Sequence, residues 1–423
     1  MGPARAARTG GCLMRVLLVT QYFPPEIGAP QARLSELARY WAEAGQEVTV
    51  LTGMPNHPTG LIPPEYRRRV RCDERVSGHR VIRTWLYATP NEGVAKKTLG
   101  HLSFMISSVL LGGRRIGDTD VVVVSSPTFF SLFSAWVLAR WKHARLVVEI
   151  RDLWPAIFVE LGVLKNPSLI WALERLELAL YRAADHVVVV SEGFKDNLIA
   201  RGVPAGKITT IRNGVDLDRF TPGEADPAVR RSLGVTGEEV LALYIGAHGV
   251  SHGLTAVADA AAKVAPSGIH VAFVGEGAAK ADLVTYVEDH AVPNVTMLGG
   301  VDRARVRDML AAADICLAPL RDVPLFSTFI PSKIFEYLAM GKAVVGSVRG
   351  EPAEILREAG AVVVKPEDRE ALAKALIELA ADPDRRVAMG RRGRDYVREH
   401  FDRRVLATRY LDEVLRPAVK AGH

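Results

Sequence analysis

The 423-residue sequence lacks the cysteine patterns and phosphate-binding motifs of several common protein classes. Its three cysteines, Cys12, Cys72 and Cys316, are odd in number and far apart, which excludes a disulfide framework and a cysteine metal cluster. No G-x-x-x-x-G-K-[ST] loop occurs, and no G-x-G-x-x-G follows the first predicted strand. These absences argue against a kinase and a dinucleotide oxidoreductase, and the cysteine usage fits a reducing cytoplasm.

The sequence also lacks a signal peptide and a clear membrane span. The opening MGPARAARTGGCLMRVLLVT has no apolar region of about 7 to 15 residues, and its apolar run from Met14 is typical of a core strand. We expect residues 1–13 to be a disordered leader, and an upstream start codon is the alternative explanation of them. Residues 121–139 carry no charge and are long enough to be a span candidate, but the Ser-Ser-Pro triplet at 125–127 favours a buried strand, a turn and a helix.

Positive charge is concentrated in the first half of the chain. The formal net charge is +6, but residues 1–215 hold 27 basic and 18 acidic side chains, so the remainder is slightly acidic. This asymmetry predicts an N-terminal domain that meets something anionic, such as phosphates or a membrane surface. A solvated basic face without a partner is an equal alternative.

One short apolar run has cations at both ends. It extends from His101 to Gly113, preceded by a lysine pair at 96–97 and followed by an arginine pair at 114–115. The run is too short to cross a bilayer. It fits a helix lying in the membrane interface with its cations on lipid headgroups, or a core helix with basic caps.

Short β-branched runs alternate with helix-sized segments along the whole chain, which predicts parallel strands with crossover helices. We therefore predict an α/β fold of two doubly wound, Rossmann-like domains facing a central cleft. The predicted boundaries are 14–215 for an acceptor- and membrane-facing domain, 216–402 for a ligand-binding domain, and 403–423 for a helix that packs back on the first domain. A Gly-, Pro- and Asp-rich stretch at 213–227 is the predicted linker. The strand runs are RVLLVT, EVTVLT, RVIRTW, DVVVVSS, RLVVEIRD, HVVVVS and KITTIRNG, then VLALYIG, HVAFVGEG, NVTMLGG, ICLAPL, AVVGSV and AVVVKPED.

The segment IPSKIFEYLAMG predicts a short helix with charge at its start. Pro331 suits the first turn and Gly341 the position after the last. Helical spacing predicts an apolar face formed by Ile334, Phe335 and Leu338, and a second face that consists of Lys333, Glu336, Tyr337 and Met340. Lys333 and Glu336 are three residues apart and project together, about 5 Å along the axis. Backbone N–H groups at the helix start and the lysine would hold a diphosphate, and the glutamate would accept hydrogen bonds from ribose hydroxyls. A surface salt bridge is the alternative.

The order of motifs resembles that of a known family. YFPPEIGAP, RNGVDLDRF, YIG…HGL, VGEG, ADICLAPL and KIFEYLAMGKAVV together resemble the family 4 glycosyltransferases of the GT-B fold, in particular the bacterial cell-surface polysaccharide branch with its P-S-K-x-F-E-Y pattern. The resemblance spans residues 14–415. It implies transfer of a sugar from a nucleotide sugar, with retention of the anomeric configuration, and no bound metal or other cofactor.

The family's paired glutamates fall at Thr328 and Glu336, so only the second, ribose-binding one is matched. The family also shows an arginine and a lysine where this chain has Ala247 and His252. The resemblance therefore implies that Lys333, with Ser332 beside it and Arg321 of PLRD, takes over the phosphates. His252 would assist, and an exposed histidine without a role is the alternative.

Glycines after two predicted strands match further family loops. Gly275, Glu276 and Gly277 of VGEG resemble the nucleotide-side loop, where glycine allows close backbone approach. Gly28 resembles the glycine of the loop that lies against the donor phosphates and the acceptor. For each, an ordinary turn glycine is the alternative.

The catalytic assignment rests on VVEIRDLWP. Arg151 and Asp152 follow a strand of the first domain, where relatives often carry a histidine. Asp152 would orient the acceptor hydroxyl or stabilise positive charge at the anomeric carbon, and the leaving phosphate would take the acceptor proton. Helix capping by Asp152 is the alternative. His57 of MPNHPTG is a second acceptor-side candidate, and the D-x-D sequences at 118–120 and 216–218 are not interpreted as metal sites.

The resulting hypothesis is a cytoplasmic retaining hexosyltransferase, peripheral on the inner face of the cell membrane. It would move a hexose, expected to be N-acetylated or deoxy, from a UDP-sugar to a lipid-linked or glycan acceptor in cell-surface polysaccharide synthesis, such as that of lipopolysaccharide. Its expected partners are the nucleotide sugar, the lipid-linked acceptor and the membrane, and not nucleic acid. A UDP-sugar 2-epimerase of the same fold and a basic lipid- or nucleic-acid-binding module remain alternatives.

Overall fold

The computed structural model describes residues 13–26, 28–57, 59–90, 94–126, 129–160, 162 and 164–420. The predicted leader, apart from Leu13, lies outside the described residues, as does Cys12. The described chain forms two α/β units, each built on one largely parallel sheet with helices on both faces. This is the predicted fold class.

The first sheet has eight strands in the order β3-β4-β2-β1-β5-β6-β7-β8. All pairs are parallel except β3 with β4. The central β5 is a run of valines buried on both faces, as expected for a parallel strand covered by helices on each side. The strands are β1 (Arg15–Val19), β2 (Glu47–Gly53), β3 (Arg71–Val76), β4 (His79–Thr84), β5 (Val121–Ser125), β6 (Arg145–Ile150), β7 (His186–Val189) and β8 (Ile208–Thr210).

Six α-helices of the first unit are described. Short 3₁₀ segments lie at Pro64–Tyr66 and Ala205–Lys207, and a π-helical segment, Ser108–Gly112, continues the second helix. The helices are α1 (Ala29–Glu43), α2 (Val94–Ser107), α3 (Phe129–Lys142), α4 (Ala156–Glu160), α5 (Pro167–Ala183) and α6 (Glu192–Ala200).

The second sheet has six parallel strands in the order β11-β10-β9-β12-β13-β14. Its strands are β9 (Val240–Ile245), β10 (Ile269–Val274), β11 (Val295–Leu298), β12 (Ile315–Pro319), β13 (Ala343–Ser347) and β14 (Val362–Val364). Short 3₁₀ segments lie at Val250–His252, Ala265–Ser267 and Pro324–Thr328, and a π-helical segment lies at Leu411–Leu415. The helices are α7 (Pro227–Ser232), α8 (Leu254–Val264), α9 (Lys280–Asp289), α10 (Arg303–Ala312), α11 (Lys333–Ala339), α12 (Glu351–Glu358), α13 (Arg369–Ala380), α14 (Pro383–His400), α15 (Arg403–Tyr410) and α16 (Arg416–Lys420).

All thirteen strand runs identified in the sequence are strands, but β3 was missed. Its sequence, RCDERV, is mostly polar because β3 is an edge strand. It pairs antiparallel with β4. The two are joined by Ser77 and Gly78, both with positive φ, and this Ser-Gly pair between two runs was the available hairpin signal.

The predicted linker is packed rather than exposed. Val215 and Phe220 are buried in the core of the second unit, and Val215 pairs with Asp402 in an isolated bridge. Asp216 accepts a hydrogen bond at 2.7 Å from Arg39 of α1. The two units are therefore connected by buried contacts along this segment as well as by the chain itself.

The last helices return to the first unit. Trp41 of α1 donates a hydrogen bond to the carbonyl of Ala407 at 3.2 Å, and its ring lies 5.2 Å from that of Tyr410. Leu411 and Val414 are buried in the same core cluster as strands β1 and β2. The domain boundaries at 215/216 and 402/403 stay predictions.

Residues 121–139 contain β5 and most of α3, which confirms the strand and the helix of the strand-turn-helix interpretation. Throughout the described ranges, no helix has both the length and the apolar character needed to cross a bilayer. The apolar run at 101–113 is partly packed in the core and partly exposed, and its contact with a membrane stays a prediction. Phe104, Ser107 and Ser108 are buried, whereas Ile106 and Leu110 are exposed.

Candidate functional site

Helix α11 places Lys333 and Glu336 at the carboxyl edge of the second sheet. Ile334, Phe335 and Leu338 form the buried face that the sequence predicts. Tyr337 is also buried, contrary to the predicted second face, because its hydroxyl donates to the carbonyl of Ile245 at 2.9 Å. Burial of both sides leaves the two charged residues as the half-buried positions within the helix.

The Lys333 ammonium rests on a tyrosine. Its Nζ donates to the Tyr244 hydroxyl at 2.6 Å and lies 3.8 Å from the centre of the ring. That hydroxyl in turn donates to the carbonyl of Ala247 at 2.5 Å. Burial lowers the pKa of Lys333 to about 7, and the opposing attraction of Glu336 is smaller. The sequence analysis missed Tyr244, because it lies within a buried strand.

The Glu336 carboxylate receives no hydrogen bond from any described residue, and burial raises its pKa. Arg303 and Arg403 oppose this rise in the pKa. Both arginines pair with Glu36 of α1, Arg303 at 3.3 Å, so Glu336 lies beside an ion cluster that joins the two units. A carboxylate with empty acceptor positions beside cations is suited to receive hydroxyl donors.

The start of α11 differs from the prediction. Pro331 lies outside the helix, and Ser332 precedes its first residue. The amides of Ile334 and Phe335 already donate, each at 3.2 Å, to the carbonyls of Pro331 and Ser332. The predicted set of free backbone donors is therefore wrong for these two groups, and the side chain of Lys333 is the principal cation at this end.

Glycines allow two loops to touch beside Lys333. Gly246 and Gly275 have φ of 143° and 147°, a region that L side chains rarely adopt. A β-carbon on Gly275 would lie 1.9 Å from the Gly246 carbonyl oxygen, and one on Gly277 would lie 2.4 Å from the carbonyl oxygen of His248. The described contacts show that glycine is needed at these positions because the two loops pack closely against each other. The prediction from the sequence was that glycine there allows close approach of a ligand.

His248, which the sequence analysis also missed, is buried in this cluster. Neither of its ring nitrogens has a hydrogen-bond partner among the described residues. Its pKa is lowered to about 4, mainly by burial and in addition by the nearby Lys280 and Lys333. A buried ring whose nitrogens have no hydrogen bond costs folding free energy. His248 therefore marks a position where this cluster lacks a hydrogen-bonding group. The signal was a polar residue in the loop directly after β9.

The other predicted residues of this unit lie around the same loops. His252 is buried, which corrects the exposed alternative, and its Nδ1 lies 3.4 Å from the carbonyl oxygen of Pro319. Within the described ranges, the half-buried Arg321 guanidinium has no hydrogen-bond partner. Glu276 accepts from Lys280 at 2.8 Å and from the amide of Gly300 at 3.1 Å.

Arg151 and Asp152 follow β6 of the first unit. Arg151 Nε and Nη1 are buried and unpaired among the described residues, and burial lowers the arginine's pKa to about 10 against the opposing pull of Glu149. Burial raises the pKa of Asp152, and Arg151 opposes the rise. In the described part of the chain no group donates to the Asp152 carboxylate, so the capping alternative has no hydrogen bond to support it.

Gly28 and His57 lie at the start of α1 and after β2. Gly28 is the residue before α1, and its carbonyl accepts from the amide of Ala32 at 3.0 Å. The His57 amide donates to Glu26 at 2.9 Å, and its ring lies 5.6 Å from that of Tyr22. Burial raises the pKa of Glu26 to about 7, although three backbone amides oppose the rise. Glu26 was not identified from the sequence.

Thr328 lies at a contact between the two units. A β-carbon on Gly193 of α6 would lie 2.3 Å from the Thr328 methyl group, so that glycine is needed for the approach. The Thr328 hydroxyl donates to the carbonyl of Leu325 at 2.9 Å. At the position of the family's first glutamate, this chain therefore has a small residue that packs against the other unit.

The whole chain is similar to glycosyltransferases. Residues 28–214 match the family model "Glycosyl transferase 4-like domain", and residues 239–382 match "Glycosyl transferases group 1". WcaI of Escherichia coli (strain K12), named as a colanic acid biosynthesis glycosyl transferase, is 25% identical over 95% of this chain and 100% of its own. A GDP-mannose-dependent alpha-(1-6)-phosphatidylinositol monomannoside mannosyltransferase of Mycobacterium tuberculosis (strain CDC 1551 / Oshkosh) is 26% identical over 95% and 98%.

Solved structures agree in fold. The sucrose-phosphate synthase of Thermosynechococcus elongatus superposes with a TM-score of 0.74 at 20% identity, over 96% of this chain and 100% of that one. HepE of Anabaena, solved in complex with UDP and glucose, has a TM-score of 0.71 at 16% identity, over 95% and 100%. Both cover the two units together.

Proposed function

Since the chain belongs to the family 4 glycosyltransferases of the GT-B fold, we propose that it moves a hexose from a nucleotide sugar to a lipid-linked or glycan acceptor in cell-surface polysaccharide or glycolipid synthesis, with retention. The observation that carries the proposal is the pair on α11. Lys333 and Glu336 lie side by side, half-buried, and the Glu336 carboxylate has no hydrogen-bond donor among the described residues.

The donor nucleotide is proposed to lie against α11 and the loops after β9, β10 and β12. Glu336 would accept hydrogen bonds from the ribose hydroxyls, and Lys333 would face the diphosphate. Arg321 is a second cation for the phosphates, because its guanidinium forms no hydrogen bond to a described residue. Ser332, His252 and the Gly275–Gly277 loop would complete the walls.

The reacting end is proposed to face Arg151 and Asp152. In transfer with retention, the bond between the anomeric carbon and the diphosphate oxygen breaks and the acceptor oxygen takes its place on the same face. The acceptor proton passes to the leaving phosphate, so no strong protein base is needed. The Arg151 N–H groups that have no partner among the described residues suit a leaving phosphate, and the Asp152 carboxylate suits positive charge at the anomeric carbon.

UDP is the proposed nucleotide, and GDP is the alternative to be tested. HepE was solved with UDP and glucose, whereas the mycobacterial relative is named as GDP-mannose-dependent. The sugar is proposed to be an N-acetylated or deoxy hexose. Thr328 supports a donor-sugar site that lacks the family's first carboxylate. Its methyl group packs against Gly193, and its hydroxyl donates to the carbonyl of Leu325.

A donor screen tests this function. Purified protein is incubated with UDP-, GDP- and TDP-hexoses, with and without membrane lipid extract as acceptor, and the released nucleotide and products are analysed. Acceptor-dependent release that Glu336→Ala abolishes is expected, since the variant loses two charge-assisted hydrogen bonds. Glu370→Ala, a surface carboxylate paired with Lys263, is the matched control and should behave as the wild type. An epimeric UDP-sugar formed without acceptor would establish the epimerase alternative instead.

We further propose that the protein acts on the inner face of the cell membrane, in the cytoplasm, through an interfacial surface of the first unit. This surface consists of Trp85, Tyr87, Leu99, Ile106, Leu110 and Trp141, which are 38% to 69% exposed. Gly100 lies against the Tyr87 carbonyl and Gly113 against the Trp141 ring, so α2 with its π-helical extension connects the surface. Exposed Lys97, Arg114 and Arg115 border it. Apolar and aromatic side chains bordered by cations suit an anionic bilayer.

Vesicle sedimentation tests the membrane proposal. The protein should sediment with vesicles containing phosphatidylglycerol and remain in solution with phosphatidylcholine alone. The triple variant Leu99→Ser/Ile106→Ser/Leu110→Ser should lose this binding while retaining nucleotide binding. Ile377→Ser, a comparably exposed position on α13 of the second unit, is the control. Equal sedimentation of the triple variant would reject this surface.

A further inference from the structure

The ammonium of Lys333 has an unusual environment for a buried cation. Its described hydrogen-bond partner is the neutral Tyr244 hydroxyl, and no carboxylate in the described part of the chain accepts from it. A lysine ammonium has three N–H donors, so one hydroxyl and the ring face replace only part of its hydration. Gly246 lies immediately beside it, since a β-carbon there would be 3.0 Å from Nζ. The tyrosine therefore holds the lysine in place, but it does not balance the positive charge of the ammonium.

We propose that Tyr244 holds Lys333 when no nucleotide is bound, that a nucleoside diphosphate replaces the tyrosine hydroxyl as its partner, and that formation of the complex is coupled to proton uptake. This rests on the proposed function, because it assigns the diphosphate to Lys333. It goes further by making Tyr244 a positioning residue and donor binding a proton-linked step. The proton comes from solvent and ends on the lysine amine, which becomes the ammonium that pairs with a phosphate oxygen.

The charged surroundings favour this exchange. On its own helix Lys333 faces Glu336, which attracts the cation weakly. From β9 and the following loop it faces Tyr244, His248 and His252, and the two histidines have lowered pKa values mainly because of burial. Lys280 of α9 adds positive charge near His248. Among these groups Glu336 is the one that can carry negative charge, and it makes no described hydrogen bond to Lys333, so no anion in direct contact keeps the lysine fully charged when no nucleotide is bound.

The direction of the pH dependence follows from the two states. With the pKa of the free lysine lowered to about 7, roughly half of the chains hold a neutral amine at pH 7. A phosphate anion raises that pKa in the complex. Binding therefore takes up about half a proton at pH 7 and nearly one at pH 8, and affinity falls up to tenfold per pH unit from 7.5 to 9. A terminal phosphate, whose pKa is about 6, stays ionised throughout this range.

Calorimetry tests the inference with UDP and GDP as probes. Titrations at pH 7.0 and 8.0 in two buffers of different ionisation enthalpy give the number of protons bound per nucleotide. The wild type should show uptake. Lys333→Arg, which keeps a permanent charge, should bind nucleotide with uptake near zero. Tyr244→Phe removes the oxygen partner from the free lysine, lowers the free-state pKa and should increase uptake at pH 7.0. Lys263→Met, a surface lysine, is the matched control.

The outcomes separate this inference from the proposed function. Uptake that persists in Lys333→Arg would place the proton on His248 or His252 and overturn the inference. Nucleotide binding without uptake in the wild type would also overturn it, while leaving the glycosyltransferase site intact. Absence of binding by every nucleoside diphosphate would reject both.

Discussion

The Arg212 guanidinium donates to the same oxygen of Glu351 from Nε at 3.1 Å and from Nη2 at 2.7 Å, and this pair joins the two units of the enzyme. Glu351 begins α12 of the second unit, and Arg212 follows β8 of the first. The same carboxylate also accepts from the amides of Glu192 and Gly193 at the start of α6, each at 3.3 Å. This one side chain of the second unit therefore accepts from four N–H groups of three residues in the first unit.

Glu351→Ala should weaken closure of the cleft. It removes a largely buried carboxylate and leaves four N–H donors of three residues without their acceptor, a loss of about 1.5–3 kcal/mol for bonds to a charged group. If closure precedes transfer, kcat/KM falls by about tenfold or more. Steady-state kinetics measure this, and small-angle scattering should show a larger radius of gyration. Glu354→Ala, an exposed carboxylate on the same helix, should change neither value. Unchanged kinetics in Glu351→Ala would show that this bridge does not govern closure.

Gly193→Ala should also impair closure, for a steric reason. The added β-carbon would lie 2.3 Å from the Thr328 methyl group and 2.6 Å from the Thr328 β-carbon. We expect a fall in kcat/KM and a larger radius of gyration, with the stability of each unit retained. The double variant Gly193→Ala/Thr328→Gly removes both clashing atoms and should restore the scattering profile. Failure of the double variant to recover would mean that α6 itself is disturbed.

Arg33→Met should destabilise the first unit. Arg33 and Glu149 form a buried pair with side chains 1% exposed, joined at 3.0 Å. Burial alone would raise the pKa of Glu149, but the attraction and hydrogen bonds of Arg33 outweigh it and the pKa is lowered. Removing the cation leaves a buried charge, which costs about 3–5 kcal/mol of unfolding free energy. Urea unfolding measured at pH 7.5 checks this value, with Arg39→Met on the same helix as a milder control.

The pH dependence of the Arg33 effect has a definite sign. In the wild type, the pKa of Glu149 is lowered by folding. The carboxylate therefore contributes stability at pH values above its ordinary pKa, and this contribution is lost as the pH falls through the folded-state pKa. In Arg33→Met, the arginine no longer opposes the rise that burial causes in the pKa of Glu149. The carboxyl group can therefore take up a proton and become neutral. The deficit in unfolding free energy should therefore narrow between pH 7.5 and pH 5. A constant deficit would mean that lost packing, not charge, is responsible.

Asp152→Asn should lower kcat without weakening nucleotide binding. Loss of an electrostatic contact to the reacting centre typically costs about 100- to 1,000-fold in kcat. Burial raises the pKa of Asp152, so wild-type kcat should fall as the pH drops through that raised value and the carboxyl becomes neutral. The variant should lack this acidic limb. The exposed Asp196→Asn is the control, and a variant with wild-type kcat and an intact acidic limb would exclude a chemical role for Asp152.

The order of motifs in the sequence identified the glycosyltransferase family, which the comparisons confirm. Helix periodicity placed Lys333 and Glu336 on one side of α11, and their binding role stays a prediction. Sequence reasoning missed Tyr244 and His248, whose importance depends on contacts across the sheet. It left Gly275 and Gly277 open between close approach of a ligand and an ordinary turn, and the described contacts place a second loop beside them. Periodicity reports which side chains share a face, but it does not report which face another element covers.

The sequence by itself determined the two-sheet α/β architecture, because runs such as VVVV and helix-sized spacers encode buried parallel strands locally. Only the tertiary structure decided the chemistry of the site. Lys333 and Tyr244 are 89 residues apart, and Arg212 and Glu351 are 139 apart, so their pairing exists only after folding. Burial shifts the pKa values of the site residues, and burial is a property of the packed molecule, not of any local segment.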